Sequence, residues 1–485
     1  MSIKEKLVEI LGMDRVSDAP EVLDNYRTDY SPTSPGTPMC VAYPEESNEI
    51  QSILAFANER RIPVIPCSSR VHFFGATIPK QGGIVVDLKR MNRIWDLDER
   101  NRKVTIGAGV TWHQLCGQMA ETDLMVVPPL LPHRDRSVLT TYLEREVPVI
   151  SLYEYGEPLT SMEVVWPNGT VFRTGSASAP GFPKSLAEGA NPQGPGVMDF
   201  YRLLQGSQGT MGIVTWAILK AEYRSPHSRL FFIPFDRIEE AIAPLYAIQR
   251  RKIGYECFLM NRLNMALILA ENYPDDFEIC MKNFPAWTLV LALRGGRRQP
   301  EGKLQYEENA LKRVCKEFNG LQALRALPGS PHSGALLANL LRMPWPDEKA
   351  YWKHRYQGNS RDLFFITKLS RVSEFLPTME RLAGKTNFSV DTVGVYIQPI
   401  ENARACHVEF NIYYNPEDTA NAAAANRLYD EAAKAMLGQG AFFTRPYGPL
   451  SDLVYDKATA YTAMLKKVKG IFDPNNILSP GNLCF

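Results

Sequence analysis

Three stretches far apart in the chain are rich in small side chains: Pro66-Cys67-Ser68-Ser69-Arg70-Val71-His72-Phe73-Phe74-Gly75-Ala76, Ser137 to Glu144, and Gly206-Ser207-Gln208-Gly209-Thr210-Met211-Gly212-Ile213-Val214-Thr215. Small residues let backbone N–H groups come close to phosphate oxygens, and serine and threonine hydroxyls add donors. Drawn together, such segments would hold the phosphates of a bound cofactor. The Gly-x-Gly-x-x-Gly that follows the first strand of nicotinamide-binding folds is missing. The eight cysteines include no Cys-x-x-Cys pair and so give no zinc or iron–sulfur signature, and no metal site is expected.

The elements that must position these loops follow from hydrophobic spacing. Ile50, Ile53, Leu54 and Ala57 predict a helix over 47–60, with Ser47 able to cap it. Short strands are predicted at 63–66, 84–88 and 104–106, and a hairpin at 162–174 turns on Pro167-Asn168-Gly169. After about residue 225 the pattern changes. Strands at 229–234, 287–293, 362–368, 392–398 and 405–413 alternate with helical stretches near 237–250, 301–318, 372–384 and 416–437. That order predicts an α+β unit with its helices on one face of a sheet. The last 40 residues read as turn-rich.

At 485 residues the chain is long enough for two or three domains. With 45% hydrophobic and 22% charged residues it has the composition of a globular protein. Its 54 basic residues are balanced by 53 acidic ones, so no global field would recruit nucleic acid or an anionic membrane. No apolar run reaches the length of a spanning helix, and the N-terminal residues lack an apolar signal core. A cytoplasmic protein with no membrane and no nucleic-acid partner is the expectation, and the scattered thiols suit a reducing compartment.

Taken in order, the segments resemble the vanillyl-alcohol oxidase/p-cresol methylhydroxylase superfamily of flavoproteins. The resemblance rests on Val41-Ala42-Tyr43-Pro44, the 66–75 loop, Gly83 to Leu88 with Met91-Asn92-Arg93-Ile94, Val104 to Val110, Gly206 to Thr215, and Phe472 to Gly481. It is clear over roughly residues 40–224 and 440–485. The fold it implies is α+β, with a split FAD-binding domain (1–224 and 441–485) and an inserted α+β cap (225–440). The implied FAD-binding residues are Cys67, Ser68, Ser69, Arg70, Val71 and His72; then Ser137, Thr140, Thr141 and Glu144; then Gly209, Gly212, Ile213 and Val214; and Asn476.

Within the superfamily the sequence is most similar to the 4-alkylphenol-oxidising branch, through Tyr142 to Arg145, Tyr155-Gly156-Glu157, Ser161 to Val165, Asp362-Leu363-Phe364-Phe365 and Tyr414 to Asp418. It departs from that branch at the substrate. Two tyrosines and an arginine that hold a phenolate there correspond here to Phe74, Thr444 and Arg445. Losing two hydroxyl contacts forfeits about 1.5–3 kcal/mol each, while Arg445 keeps a cation for an anionic substrate. The position of a flavin-linking histidine corresponds to Asp362, which cannot form that bond. His72 stands one residue from another known attachment point, an offset expected to turn it elsewhere, so FAD is expected to be held non-covalently. His133, next to the position facing the flavin, is the candidate base, and His407 matches a cap histidine.

The resemblance implies an FAD-dependent oxidase or dehydrogenase passing a hydride from a small aromatic alcohol or alkylphenol to flavin N5. Oxygen or a cytochrome-type carrier would accept the electrons, and a homo-oligomer is expected. Two other readings stay open: a D-2-hydroxy acid dehydrogenase of the same superfamily, and a flavin-binding electron-transfer subunit of a larger complex.

Overall fold

The computed structural model describes residues 2–150, 157–179, 187–196 and 198–485. Tyr155 and Gly156 of the branch motif lie outside the described residues. The first sheet places the parallel strands Cys40–Ala42, Ile84–Asp87 and Val64–Cys67 side by side, with Val16–Ser17 antiparallel at one edge. Parallel neighbours need a crossover, and the helix Ser47–Arg60 supplies it, burying Ile50, Ile53, Leu54 and Ala57. Its cap is Glu46 and not Ser47. The Ser47 hydroxyl is instead drawn to the Glu163 carboxylate, to which it donates at 2.6 Å.

A second sheet is antiparallel, in the order Ile94–Asp98, Lys103–Gly107, Ile213–Lys220, Leu159–Val165, Val171–Arg173. The C-terminal segment returns to the first sheet: Val64 N–H donates to Ile477 O at 2.7 Å, and Ser479 N–H to Val64 O at 2.9 Å. Before that return the chain forms the helices Pro449–Lys457 and Thr459–Phe472, where only turns were expected. The second of these leaves Tyr461, Met464 and Ile471 exposed, so its apolar residues mark no buried stripe for sequence reasoning to find.

The third sheet is antiparallel and six-stranded, ordered Ser228–Phe235, Trp287–Arg294, Glu256–Asn261, Val393–Ile400, Ala405–Tyr414, Asn359–Thr367. The strand Glu256–Asn261 was not anticipated, because it runs into the helix Arg262–Leu269 without a turn residue between them. Side chains alternate along every strand. Val408, Phe410 and Ile412 join Leu363 and Phe365 under a layer built from the helices Ile238–Arg250, Pro300–Glu317, Leu376–Lys385 and Thr419–Gly438. The opposite face also carries helices, Arg262–Leu269, Asp275–Asn283 and Ser333–Leu340, packed on Phe232, Phe258, Met260 and Tyr413. The expectation of helices on one face is therefore corrected: buried apolar residues of both parities in these strands require cover on both sides. That second face also carries His407, Glu409 and Asn411. Among the described residues no helix is long and apolar enough to cross a membrane.

Candidate active site

The three small-residue segments do converge, though the second is not a loop: Val138–Leu143 is a short helix capped by Ser137, whose hydroxyl accepts from Thr140 N–H. They line one cavity. Cys67, Ser68, His72, Thr140, Glu144, Gly209, Gly212, Ile213 and Val214 face it. The loops are tied to one another: the Ser68 and Thr140 hydroxyls are hydrogen-bonded, and Ser137 N–H donates to Ser69 Oγ at 3.3 Å. Gly209 has φ +74°, and a Cβ there would lie 2.8 Å from Pro66 Cγ and 3.0 Å from Ser479 Oγ. At Gly212 a Cβ would fall 2.5 Å from Val164 Cγ2. Only glycine keeps this wall of the cavity where it is.

His72 is part of the same wall, so the one-residue offset does not turn it away. Its Nε2 bonds the Ser69 carbonyl at 2.6 Å, and its Nδ1 is buried without a partner. Burial first, and then the Arg136 charge, push its pKa down to about 3, so the ring is neutral. Small residues, hydroxyls and an unsatisfied nitrogen around one cavity fit a dinucleotide.

Other expected cofactor residues do not reach the cavity. Ser69, Val71, Ser137 and Thr141 are buried behind it. There Ser137 donates to Ala108 O at 2.7 Å, and Thr141 accepts from Trp112 Nε1 at 3.0 Å. Arg70 is exposed and bonds Asn25 O at 2.9 Å, with its guanidinium over the Tyr26 ring. Asn476 is exposed in the turn after the last helix, its N–H held by Asp473 O.

A second cavity opens between the first part of the chain and the six-stranded sheet. Phe74, His133, Asp362, His407 and Arg445, five positions from distant parts of the sequence, line it. Thr444, half-buried, does not. Strand register explains the grouping. Asp362 pairs with Asn411, and Phe364 and Tyr396 both pair with Glu409, which puts these side chains and His407 on one face.

At the centre of that face Lys353 Nζ lies 2.5 Å from both Asp362 Oδ2 and Glu409 Oε1. Asn411 Nδ2 donates to the same two carboxylates, at 2.7 and 2.6 Å. Burial would raise Glu409, but Lys353 and the bond to His407 outweigh it and hold its pKa low. Asp362 is pushed up, chiefly by burial, with Glu409 adding to it and Lys353 opposing. Glu409 is thus the carboxylate that stays ionised.

His407 Nε2 lies 3.3 Å from Glu409 Oε2, and burial lowers its pKa despite that carboxylate. His133 is also lowered by burial. Its Nδ1 accepts from Asp135 N–H at 3.2 Å, which leaves the neutral ring's proton on Nε2. Arg445 is 6% exposed, with Cζ 4.0 Å from the centroid of Phe364, and its Nη1 is buried with no hydrogen-bond partner. Phe73, Phe74, Tyr351 and Trp352 complete an aromatic wall.

Arg136 stands between the two cavities. It is 2% exposed, bonds Glu144 Oε2 of the first cavity at 2.6 Å, and pairs with Glu146 of the second. Sequence reasoning placed none of Arg136, Glu146, Tyr351, Lys353, Tyr396 and Glu409 in the site. The period-two spacing of His407, Glu409 and Asn411 carried a signal for Glu409, whereas Lys353 comes from a short 3-10 turn, Trp352–His354, with no pattern of its own.

Residues 38–175 match a family described as FAD binding domain, and residues 451–483 match FAD linked oxidases, C-terminal domain. Over 254 residues the chain is 28% identical to glycolate oxidase subunit GlcD of Bacillus subtilis, a match that spans 52% of this chain and only about half, 51%, of that protein. It is 24% identical over 513 residues to the 4-cresol dehydrogenase (hydroxylating) flavoprotein subunit of Pseudomonas putida, covering 98% of this chain and 94% of that one. Among solved structures, p-cresol methylhydroxylase with substrate bound superposes with a TM-score of 0.85 at 18% identity, covering 100% and 96% of the two chains. A 4-ethylphenol oxidase from Gulosibacter chungangensis gives 0.84 at 18%, covering 99% and 96%. At that identity the likeness is one of fold.

Proposed function

Because the chain belongs to the vanillyl-alcohol oxidase/p-cresol methylhydroxylase superfamily of FAD-linked oxidoreductases, we propose that it oxidises a small aromatic alcohol or alkylphenol, phenolic or lignin-derived. The observation that carries this reading is the Arg445 guanidinium, buried against Phe364 with Nη1 unpartnered in an aromatic-walled cavity. A buried cation lacking one of its hydrogen bonds is costly unless something negative completes it. A phenolate oxygen does so while its ring lies among Phe73, Phe74 and Tyr351.

The Cys67–His72 loop, Thr140 with Glu144, and Gly209 to Val214 hold FAD, non-covalently in this reading. Bound FAD supplies a hydride acceptor at N5. Arg445 fixes the substrate oxyanion and orients the ring. His407, held by Glu409, takes the hydroxyl proton, because its neutral ring has a lone pair to offer when Nε2–H faces the carboxylate. His133, with Nδ1 already engaged, presents Nε2–H as a donor. Phe74 packs on the ring, and Asp362 keeps Lys353 in place. Reoxidation falls to oxygen or a cytochrome-type carrier.

The same guanidinium suits a carboxylate, so a D-2-hydroxy acid is the second reading. Anaerobic mixing of the FAD-loaded protein with 4-alkylphenols or aryl alcohols tests the two. Bleaching of the flavin absorbance within seconds by the aromatics is expected. Bleaching by D-2-hydroxy acids alone would replace the first reading with the second.

A further inference from the structure

The chain as a whole is almost neutral, with 54 basic and 53 acidic residues, yet one cleft away from both cavities is strongly basic. It holds about 400 Å³ between the 222–225 segment and the end of the strand Trp287–Arg294, and it shares no lining residue with the candidate active site. Seven of its lining residues are arginine or lysine, and one, Glu222, is acidic.

The deepest of these cations are in surplus. Arg294 and Arg342, 9% and 8% exposed, both clamp the fully buried carboxylate of Glu256, so two buried charges share one counter-charge. Arg342 Nη2 is buried with no hydrogen-bond partner, and Arg342 itself is held at φ +70°, in the left-handed region. Nearer the mouth, other cations sit on aromatic faces: Lys303 over Tyr255 at 5.3 Å, and Arg297 over Tyr223 at 4.5 Å. Lys303 and Arg297 do have acidic partners in Glu307 and Asp123. Arg224 is tied to the Leu124 and Met119 carbonyl oxygens, which carry no charge. Arg102 and Arg298 are exposed at the rim, and none of the ion pairs among the described residues includes either.

Gathering like charges in a recess costs stability, and half-buried cations with unsatisfied donors cost more. A multivalent anion would offset both at once, and a recess focuses the field toward such a ligand. The volume is that of a small-molecule site. We propose that this cleft binds a small polyanion carrying two or more phosphate or carboxylate groups. Arg342 also connects the cleft to the active site along the chain. Three residues on, Trp345 N–H donates to Pro132 O at 2.9 Å, and Pro132 lines the substrate cavity. Occupancy of the cleft therefore fixes the segment that carries Tyr351 and Lys353.

Calorimetric titration of the FAD-saturated protein at low salt with tripolyphosphate, orthophosphate and citrate tests this. Tripolyphosphate is expected to bind at least about tenfold more tightly than orthophosphate, and less tightly as salt is added. Citrate binding tighter than tripolyphosphate would identify a polycarboxylate as the ligand, and the reverse a polyphosphate. The rim variant R102E/R298E, which leaves the buried cluster intact, should weaken the tighter ligand at least about tenfold with an unchanged flavin spectrum. Arg342→Met should abolish binding, and should that variant not fold, the rim variant decides. No binding of either polyanion by the parent protein, or equal binding by the rim variant, overturns the proposal.

Discussion

Lys353 shows how the substrate cavity can keep two carboxylates next to each other in a buried site. Asp362 and Glu409 each lie 2.5 Å from its ammonium, and Asn411 bonds both. Removing one member of a buried ionic cluster costs far more than replacing all of it, because charge is left without a partner. Lys353→Met should thus lower the unfolding free energy by about 3–5 kcal/mol in urea denaturation. The triple variant K353M/D362N/E409Q should recover most of that loss. A stable single variant would mean that the Lys353–Asp362–Glu409 cluster is solvated and not buried. The same reasoning separates Arg445 from Arg136. Arg136 has Glu144 and Glu146 as counter-charges, whereas none of the ion pairs among the described residues includes Arg445, so in the proposed reading Arg445 is the cation left for a substrate anion.

At the scale of elements, the cofactor cavity depends on loops whose glycines cannot be replaced. Gly209→Ala meets Pro66 and Ser479 and also forces a side chain to φ +74°. It should weaken FAD binding at least about tenfold while leaving the circular dichroism unchanged, since the strain of about 1–2 kcal/mol falls on one loop. Titration of the apoprotein with FAD measures it, and an unaltered affinity would remove Gly209 from the site. These segments were legible in the sequence through their order and spacing taken together, since a glycine- and serine-bearing stretch alone is most often a plain turn. The strands Trp287–Arg294 and Ala405–Tyr414 were legible too, from their apolar runs and flanking turns. Glu256–Asn261 and the two C-terminal helices were not, since the first lacks a turn before the next helix and the others bury little. In the substrate site, Phe74, His133, Asp362, His407 and Arg445 were found by their place in ordered motifs. Lys353 and Arg136 lie outside such motifs, and only the folded chain brings them in.

At the scale of the whole molecule, four histidines are held neutral by burial: His72 down to about 3, His354 down to about 4, and His133 and His407 lowered as well. Above pH about 6.5 the folded and unfolded chains both carry neutral rings there, and their contribution to stability is complete. Below it the unfolded rings take up protons that the folded ones refuse, so stability falls by up to about 1.4 kcal/mol per pH unit for each ring. Glu409, held low, adds to the loss only once the pH enters the carboxylate range, while Asp362, pushed up, works against it. Urea midpoints should therefore decline steadily from pH 6.5 to pH 5, and less steeply in His354→Phe, whereas a flat profile would contradict the burial of these rings. In the proposed reading the two cavities act together, one holding FAD and the other presenting a substrate anion to it through Arg445. The most direct test is a spectral titration of the FAD-loaded protein with a 4-substituted phenol that it cannot oxidise. A saturable shift of the flavin absorbance that is lost in Arg445→Met, with FAD content unchanged, is the predicted result. A protein that retains no FAD, or an Arg445→Met variant that gives the same shift at the same concentration, would contradict it.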